Sequence, residues 1–147
     1  MHVIAQNRKV GFQYHILETF EAGLVLKGSE VKSLRDGKAN LGDAYAVVKN
    51  GELFLLNCHI NPYPPAALNN HEPLRTRKLL LHKREIERLL GKIKEKGLTL
   101  VPTKLYFKNG KAKAELVLAQ GKKLFDKRED LKKKDATRSI ARAMKKK

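Results

Sequence analysis

Two Asn-Gly pairs, Asn50-Gly51 and Asn109-Gly110, restrict the fold of this chain more than any other feature of its 147 residues. Each lies midway through a stretch rich in apolar residues: AYAVVKNGELFLLNC at 44–58 and TKLYFKNGKAKAELVLA at 103–119. Asn-Gly adopts the two positive φ values of a type I′ turn, whose twist suits the strands on either side. Two β-hairpins are therefore expected, and with them an antiparallel sheet. Pro102, just ahead of the second hairpin, has no backbone N–H to donate and predicts a strand edge or a bulge.

The other segments fit around those hairpins. Residues 1–6 read as a short, loose lead-in. From Phe12, the residues Phe12, Tyr14 and Ile16 alternate with polar ones, which predicts a half-buried strand. The alternation lapses over 18–23 and resumes at Leu24 and Leu26, so Gly23 predicts a bulge or bend. GSEVKSLRDG at 28–37 predicts a short helix capped by Ser29, with Val31 and Leu34 on its buried side and Gly37 at its end. Residues 61–78, NPYPPAALNNHEPLRTRK, read as a loop. Residues 79–97 predict the long helix, with Ile86, Leu89, Leu90 and Ile93 at i, i+3, i+4 and i+7 and Gly97 as its C-cap. Together these give a mainly β fold with some α: five or more antiparallel strands in a closed or nearly closed OB-like barrel, with one short and one long helix.

Charge divides the chain in two. The formal net charge is +17 and the isoelectric point about 10.1, which implies a polyanionic partner, nucleic acid before an anionic membrane. After Gly121 there are twelve Lys/Arg against four Asp/Glu, a net of +8, leaving +9 for the rest. The expected organisation is a barrel domain over 1–121 and a basic tail over 122–147. Such a tail repels itself and stays unfolded until a polyanion neutralises it. In a helix, Leu124 and Leu131 would share one face, with Ala136, Ile140 and Met144 roughly opposite.

A single cysteine, Cys58, fits a reducing compartment. The N-terminus has no signal-like apolar run, and no segment has the ~20 apolar residues of a spanning helix. A cytoplasmic, soluble protein with no membrane partner is expected. Catalysis finds no support. Cys58 and His59 are adjacent, so on a strand they face opposite ways and cannot pair as nucleophile and base. His15, His59, His71 and His82 lack metal-ligand spacing, and no phosphate-binding glycine loop occurs. No metal or other cofactor is expected. For nucleic acid, Arg75 to Lys78 place three cations before the long helix, and Asn7-Arg8-Lys9 precede the first strand. Each cluster reads equally as an ordinary solvated segment. Tyr14, Tyr45, Phe54, Tyr63, Tyr106 and Phe107 suit base stacking, and each also suits a core.

The blocks NRKVGFQYHILETFEAGLVLKGSEVKSLRDGKANLGDAY, LRTRKLLLHKREI and GKKLFDKRE closely resemble the SsrA-binding protein family (small protein B), in matching order and spacing. The resemblance covers almost the whole chain. That family consists of bacterial cytoplasmic partners of transfer-messenger RNA in trans-translation, which rescues stalled ribosomes and tags the unfinished peptide. The resemblance implies a barrel that grips the tRNA-like domain of this RNA near its elbow and D-loop. It implies a tail disordered when free and helical on the ribosome, lying against small-subunit rRNA in the empty mRNA channel near the decoding centre.

The family's RNA-binding positions match Asn7, Glu21 and Leu80, with Arg8, Lys9, Arg77 and Lys78 as neighbouring backbone contacts. Glu21 would accept hydrogen bonds from base or ribose donors or orient a neighbouring cation; its alternative is a surface pair with Lys27 or Lys32. In the tail, Gly121, Lys122, Lys123, Asp126, Lys127 and Arg128 match the family's functional motifs, and Leu131, Ile140 and Met144 supply the apolar contacts of its helix. Phe125 stands where some members carry His, so stacking remains available there and imidazole chemistry does not. Two other classes compete with a non-enzymatic adaptor. One is a ribosomal or assembly protein; the other is an RNA-modifying enzyme, for which the residues offer no chemistry.

Overall fold

Asn50 and Gly51 have φ of 52° and 75°, and Asn109 and Gly110 repeat those values, so both predicted turns form with positive φ at each central residue. The computed structural model describes residues 2–121. Its order is β1 (His2–Gln6), α1 (Val10–Gln13), β2 (Tyr14–Leu24), α2 (Gly28–Arg35), β3 (Ala39–Asn40), β4 (Tyr45–Lys49), β5 (Glu52–Leu56), β6 (His59–Ile60), a 3-10 segment (Pro64–Asn69), β7 (Arg77–Leu80), α3 (Lys83–Lys96), β8 (Thr99–Lys108) and β9 (Lys111–Gly121).

The hairpins β4–β5 and β8–β9 are two walls of a closed antiparallel barrel. The sheet runs β1-β8-β4-β5-β7-β2-β9, and pairing of β8 with β9 closes it. Closure works because β8 is long. One edge takes β9 from Thr99↔Ala119 to Lys108↔Lys111, while the other is shared between β4 at Leu100 and β1 from Lys104 to Phe107. Between Pro102 and Lys104 the β8–β9 register shifts by a bulge, as the proline predicts. The result is the mainly β, OB-like barrel expected, with a short helix α2 and a long helix α3.

Alternation fills the interior. Leu53 and Leu55 from β5, Leu79 from β7, Leu100 and Leu105 from β8, and Leu116 and Leu118 from β9 point inward and are buried. Leu34 of α2 and Ile86 and Leu89 of α3 join the same core. A smaller cluster lies outside the wall. Val101 and Val117, a registered pair, are covered by Val10 of α1 together with Ala119 and Tyr14.

Several expectations are corrected. Residues 2–6 are not a loose lead-in but the strand β1, whose partner lies some hundred residues away. Residues 10–13 form one helical turn, so the first long strand starts at Tyr14 rather than Phe12. β2 runs unbroken through Gly23, and its bulge falls between Ile16 and Glu18. Gly23 serves close approach instead: a Cβ there would sit 3.3 Å from Leu80 Cβ on β7. The N-cap of α2 is Lys27, whose N–H donates to Glu30 Oε1 at 2.7 Å; Ser29 is engaged elsewhere, and Val31 is half-buried. The long helix begins at Lys83, because Leu79 and Leu80 belong to β7; its C-cap Gly97 is left-handed as predicted, with φ 60° and ψ 40°.

Candidate nucleic-acid interface

β2 carries Glu21 between the buried Ala22 and the half-buried Phe20, so the pleat turns its carboxylate to solvent. It accepts a hydrogen bond from Tyr106 Oη at 2.5 Å and lies 3.4 Å from Lys108 Nζ. The alternative partners Lys27 and Lys32 are not the ones used. The Tyr106 hydroxyl, more than the Lys108 charge, holds Glu21 below the ordinary carboxylate pKa. Tyr106 is itself buried, and its phenol is pushed up by that burial and by the Glu21 hydrogen bond.

A polar path crosses four strands from Glu21 to Asn7. Glu21 is registered opposite Glu115 of β9, and Glu115 Oε1 accepts from Thr103 Oγ1 at 2.8 Å. Thr103 is the extra residue of the β8 bulge, and its carbonyl accepts the Asn7 N–H at 2.8 Å. The bulge therefore fixes the turn after β1. Asn7 Oδ1 caps that turn by accepting Lys9 N–H at 3.1 Å, and Arg8 and Lys9 project into solvent. Asn7 also lines a groove of about 510 Å³ with Tyr14, Tyr45 and Gly121, the last described residue. Of the aromatic candidates, Tyr14 and Tyr45 thus border an open groove. Phe107 packs on the core, and Tyr63 lies under Lys32 Nζ at 5.6 Å.

Leu80 comes to Glu21 through β7. It is registered with Gly23, is 51 % exposed, and shares a cleft of about 350 Å³ with Glu21 and Lys113. Gly23, with no side chain, lets β7 close on β2 at this point. Lys78, two residues earlier and on the same face, is exposed and 3.4 Å from Glu52 Oε1.

Arg77 requires a correction. As β7 turns Leu79 inward, it also turns Arg77 inward, and the guanidinium is fully buried. Its Nε pairs with Glu30 of α2, Nη1 donates to Cys58 O at 2.6 Å, and Nη2 to Pro73 O at 3.2 Å. It cannot contact an RNA backbone from there. Arg75 adds a second bond to Glu30, Nη2 to Oε1 at 2.6 Å. Burial pushes the Glu30 carboxyl up, but the bonds from Arg75, the Lys27 N–H and Arg77 outweigh it and leave the group below its ordinary value. The phase of β7 follows from its pairing, which turns Leu79 and therefore Arg77 inward, whereas in the sequence Arg75, Arg77 and Lys78 read as one basic cluster.

One further feature lacked a sequence signal. Glu18 of β2 binds Arg88 at 3.1 Å and also Lys92, fastening α3 to the barrel. The Lys92 bond above all, with Arg88, lowers the Glu18 pKa. Cys58 is buried, and burial pushes its thiol up to about 11, away from reactivity. Among the described residues, no three His, Cys, Asp or Glu are grouped to hold a metal ion, and no helix is long and apolar enough to cross a membrane. The tail positions expected to act on the ribosome, Lys122, Lys123, Phe125, Asp126, Lys127, Arg128, Leu131, Ile140 and Met144, lie outside the described residues.

Residues 4–146 match the family described as SmpB protein. The chain belongs to this family. It is 61 % identical over 145 residues to the SsrA-binding protein of Geobacter sulfurreducens, covering 99 % of this chain and 95 % of that one. It is 62 % identical over 143 residues to the SsrA-binding protein of Pelotomaculum thermopropionicum, covering 97 % and 94 %. A chain in the solved structure described as "tmRNA-SmpB: a journey to the center of the bacterial ribosome" superposes with a TM-score of 0.69 at 53 % identity, covering 84 % of this chain and 87 % of that one. Family membership extends over the barrel and the basic segment alike, and the surface around Glu21, Leu80 and Asn7 belongs to an SmpB-family barrel.

Proposed function

We propose that this chain is a non-enzymatic adaptor that binds the tRNA-like domain of transfer-messenger RNA and brings it to stalled ribosomes for trans-translation. The carrying observation is the match over residues 4–146, together with relatives named SsrA-binding proteins and a similar chain in a tmRNA-SmpB structure. The barrel, residues 1–121, selects the RNA through Asn7, Glu21 and Leu80, with Arg8, Lys9 and Lys78 on the phosphates. The tail, residues 122–147, enters the vacant mRNA channel near the decoding centre. The site of action is the cytoplasm.

The chemistry of the interface supports this. RNA is recognised by shape and by donors such as the 2′-OH, not by phosphate alone. An ionised Glu21 repels phosphate and accepts from exactly such donors, while Tyr14 and Tyr45 offer stacking faces along the Asn7 groove. Comparison of the full chain with a form ending at Gly121 tests the division of labour. The shorter form keeps β9 whole, because Gly121 is still paired with Tyr14. It should bind transfer-messenger RNA nearly as tightly and fail in peptide tagging. Loss of RNA binding on truncation would refute the assignment of selection to the barrel.

A further inference from the structure

The 25 residues from Asn50 to Leu74 contain no Lys or Arg, although 32 in 147 would place about five in such a stretch. Within it, residues 61–74 form a loop closed at its base. Asn70 clasps Tyr63 twice: Oδ1 accepts the Tyr63 N–H at 2.9 Å and Nδ2 donates to the Tyr63 carbonyl at 2.7 Å. Buried His71 bonds Ser29 Oγ at 2.8 Å and Ile60 O at 2.9 Å, tying the loop to α2 and β6. The tip is the opposite of buried. Leu68 is 101 % exposed, and Ala67 before it has φ 47° and ψ −115°, near the first central position of a type II′ turn, where glycine is usual. The loop is thus fixed at its base and holds a leucine outward through a backbone conformation that alanine rarely adopts.

We propose that this loop is a protein-docking knob, with Leu68 entering an apolar socket on a protein of the stalled ribosome while the basic faces hold RNA. The proposal rests on the functional assignment above. Electrostatic attachment to phosphate needs cations; the stretch has none, and Lys32 beside it lies over the Tyr63 ring. Binding to an anionic membrane surface needs them too. Self-association through the tip opposes the repulsion between two chains of +17. An apolar socket on a protein satisfies what remains. Full burial of a leucine corresponds to roughly 10- to 150-fold in affinity.

The test uses the full chain with transfer-messenger RNA and purified stalled ribosomes. Leu68→p-benzoylphenylalanine, irradiated in that complex, should yield an adduct with a ribosomal protein, sensitive to protease and resistant to nuclease. An adduct with RNA or with a second copy of the chain, or no adduct, overturns the proposal. Leu68→Ser should leave the melting temperature and the RNA Kd unchanged and weaken the ribosome complex about tenfold; unchanged ribosome affinity also overturns it. Should the unsubstituted chain fail to bind transfer-messenger RNA, the functional assignment fails and the docking proposal falls with it.

Discussion

Arg77→Met should destabilise the barrel without being a direct RNA-binding defect. In the native fold Arg77 and Glu30 are both fully buried and paired, and Arg77 also satisfies the carbonyls of Cys58 and Pro73. Removing one partner of a buried pair costs about 3–5 kcal/mol, because the other is left charged and poorly solvated. Arg75 and the Lys27 N–H still hold Glu30, so the lower end, about 3 kcal/mol, is expected. At roughly 2.1 cal/mol/K per residue, that lowers Tm by about 12 °C for a unit of about 120 residues. The chain has no Trp, so urea and thermal unfolding are followed by far-ultraviolet circular dichroism. Acid supplies a second check. The folded Glu30 pKa lies below its ordinary 4.5, so its stabilisation is complete above about 4.5 and disappears as the pH falls through the folded value. Glu30→Gln should remove that share of the acid sensitivity, and Glu30→Gln with Arg77→Met should cost less than the two changes summed. A cost below about 1 kcal/mol for Arg77→Met, with weaker RNA binding and a shallower salt dependence, would show that Arg77 is a surface phosphate contact and refute the burial.

Other substitutions separate recognition from stability. Lys78→Ala should leave stability unchanged and reduce the slope of log K against log salt by roughly 0.7–0.9, measured by filter binding across a salt series. Glu21→Gln should weaken binding to transfer-messenger RNA more than to bulk tRNA; equal loss on both would remove the directed contact. Because Tyr106 holds the Glu21 pKa below 4.5, specific affinity should show no Glu21 titration between pH 5 and 8. Gly110→Ala, at φ 75°, should cost about 1–2 kcal/mol in denaturant unfolding through the left-handed strain of an L-residue.

The parts of this fold that the sequence predicts are those decided locally. Asn-Gly sets its own turn, Pro102 its own bulge, and Gly97 its own helix cap, whatever surrounds them. What escapes is decided by distant partners. HVIAQ becomes β1 only because the far edge of β8 is open beyond the short β4 contact, and nothing within five residues announces that. Leu79 to Leu81 continue the apolar run of α3 equally well as helix or strand, and the pairing of Leu79 and Leu80 with β2 and β5 decides.

The interface follows the same division, which explains the shape of its errors. Arg77 and Lys78 are alike as letters, yet the pleat sends one to the core and the other to solvent, so a charge count attributes both to RNA. Glu21 is assigned to the interface by resemblance alone, while the group that keeps it ionised, Tyr106, lies 85 positions away. The bulge that links Asn7 to this face is local in origin, through Pro102, but its consequence is remote: Thr103 meets Asn7 on one side and Glu115 on the other. A single irregularity in β8 thereby couples the turn that projects Arg8 and Lys9 to the wall that carries Glu21. Replacing Pro102 would therefore disturb both ends of the interface together, whereas replacing Arg8 would disturb only one.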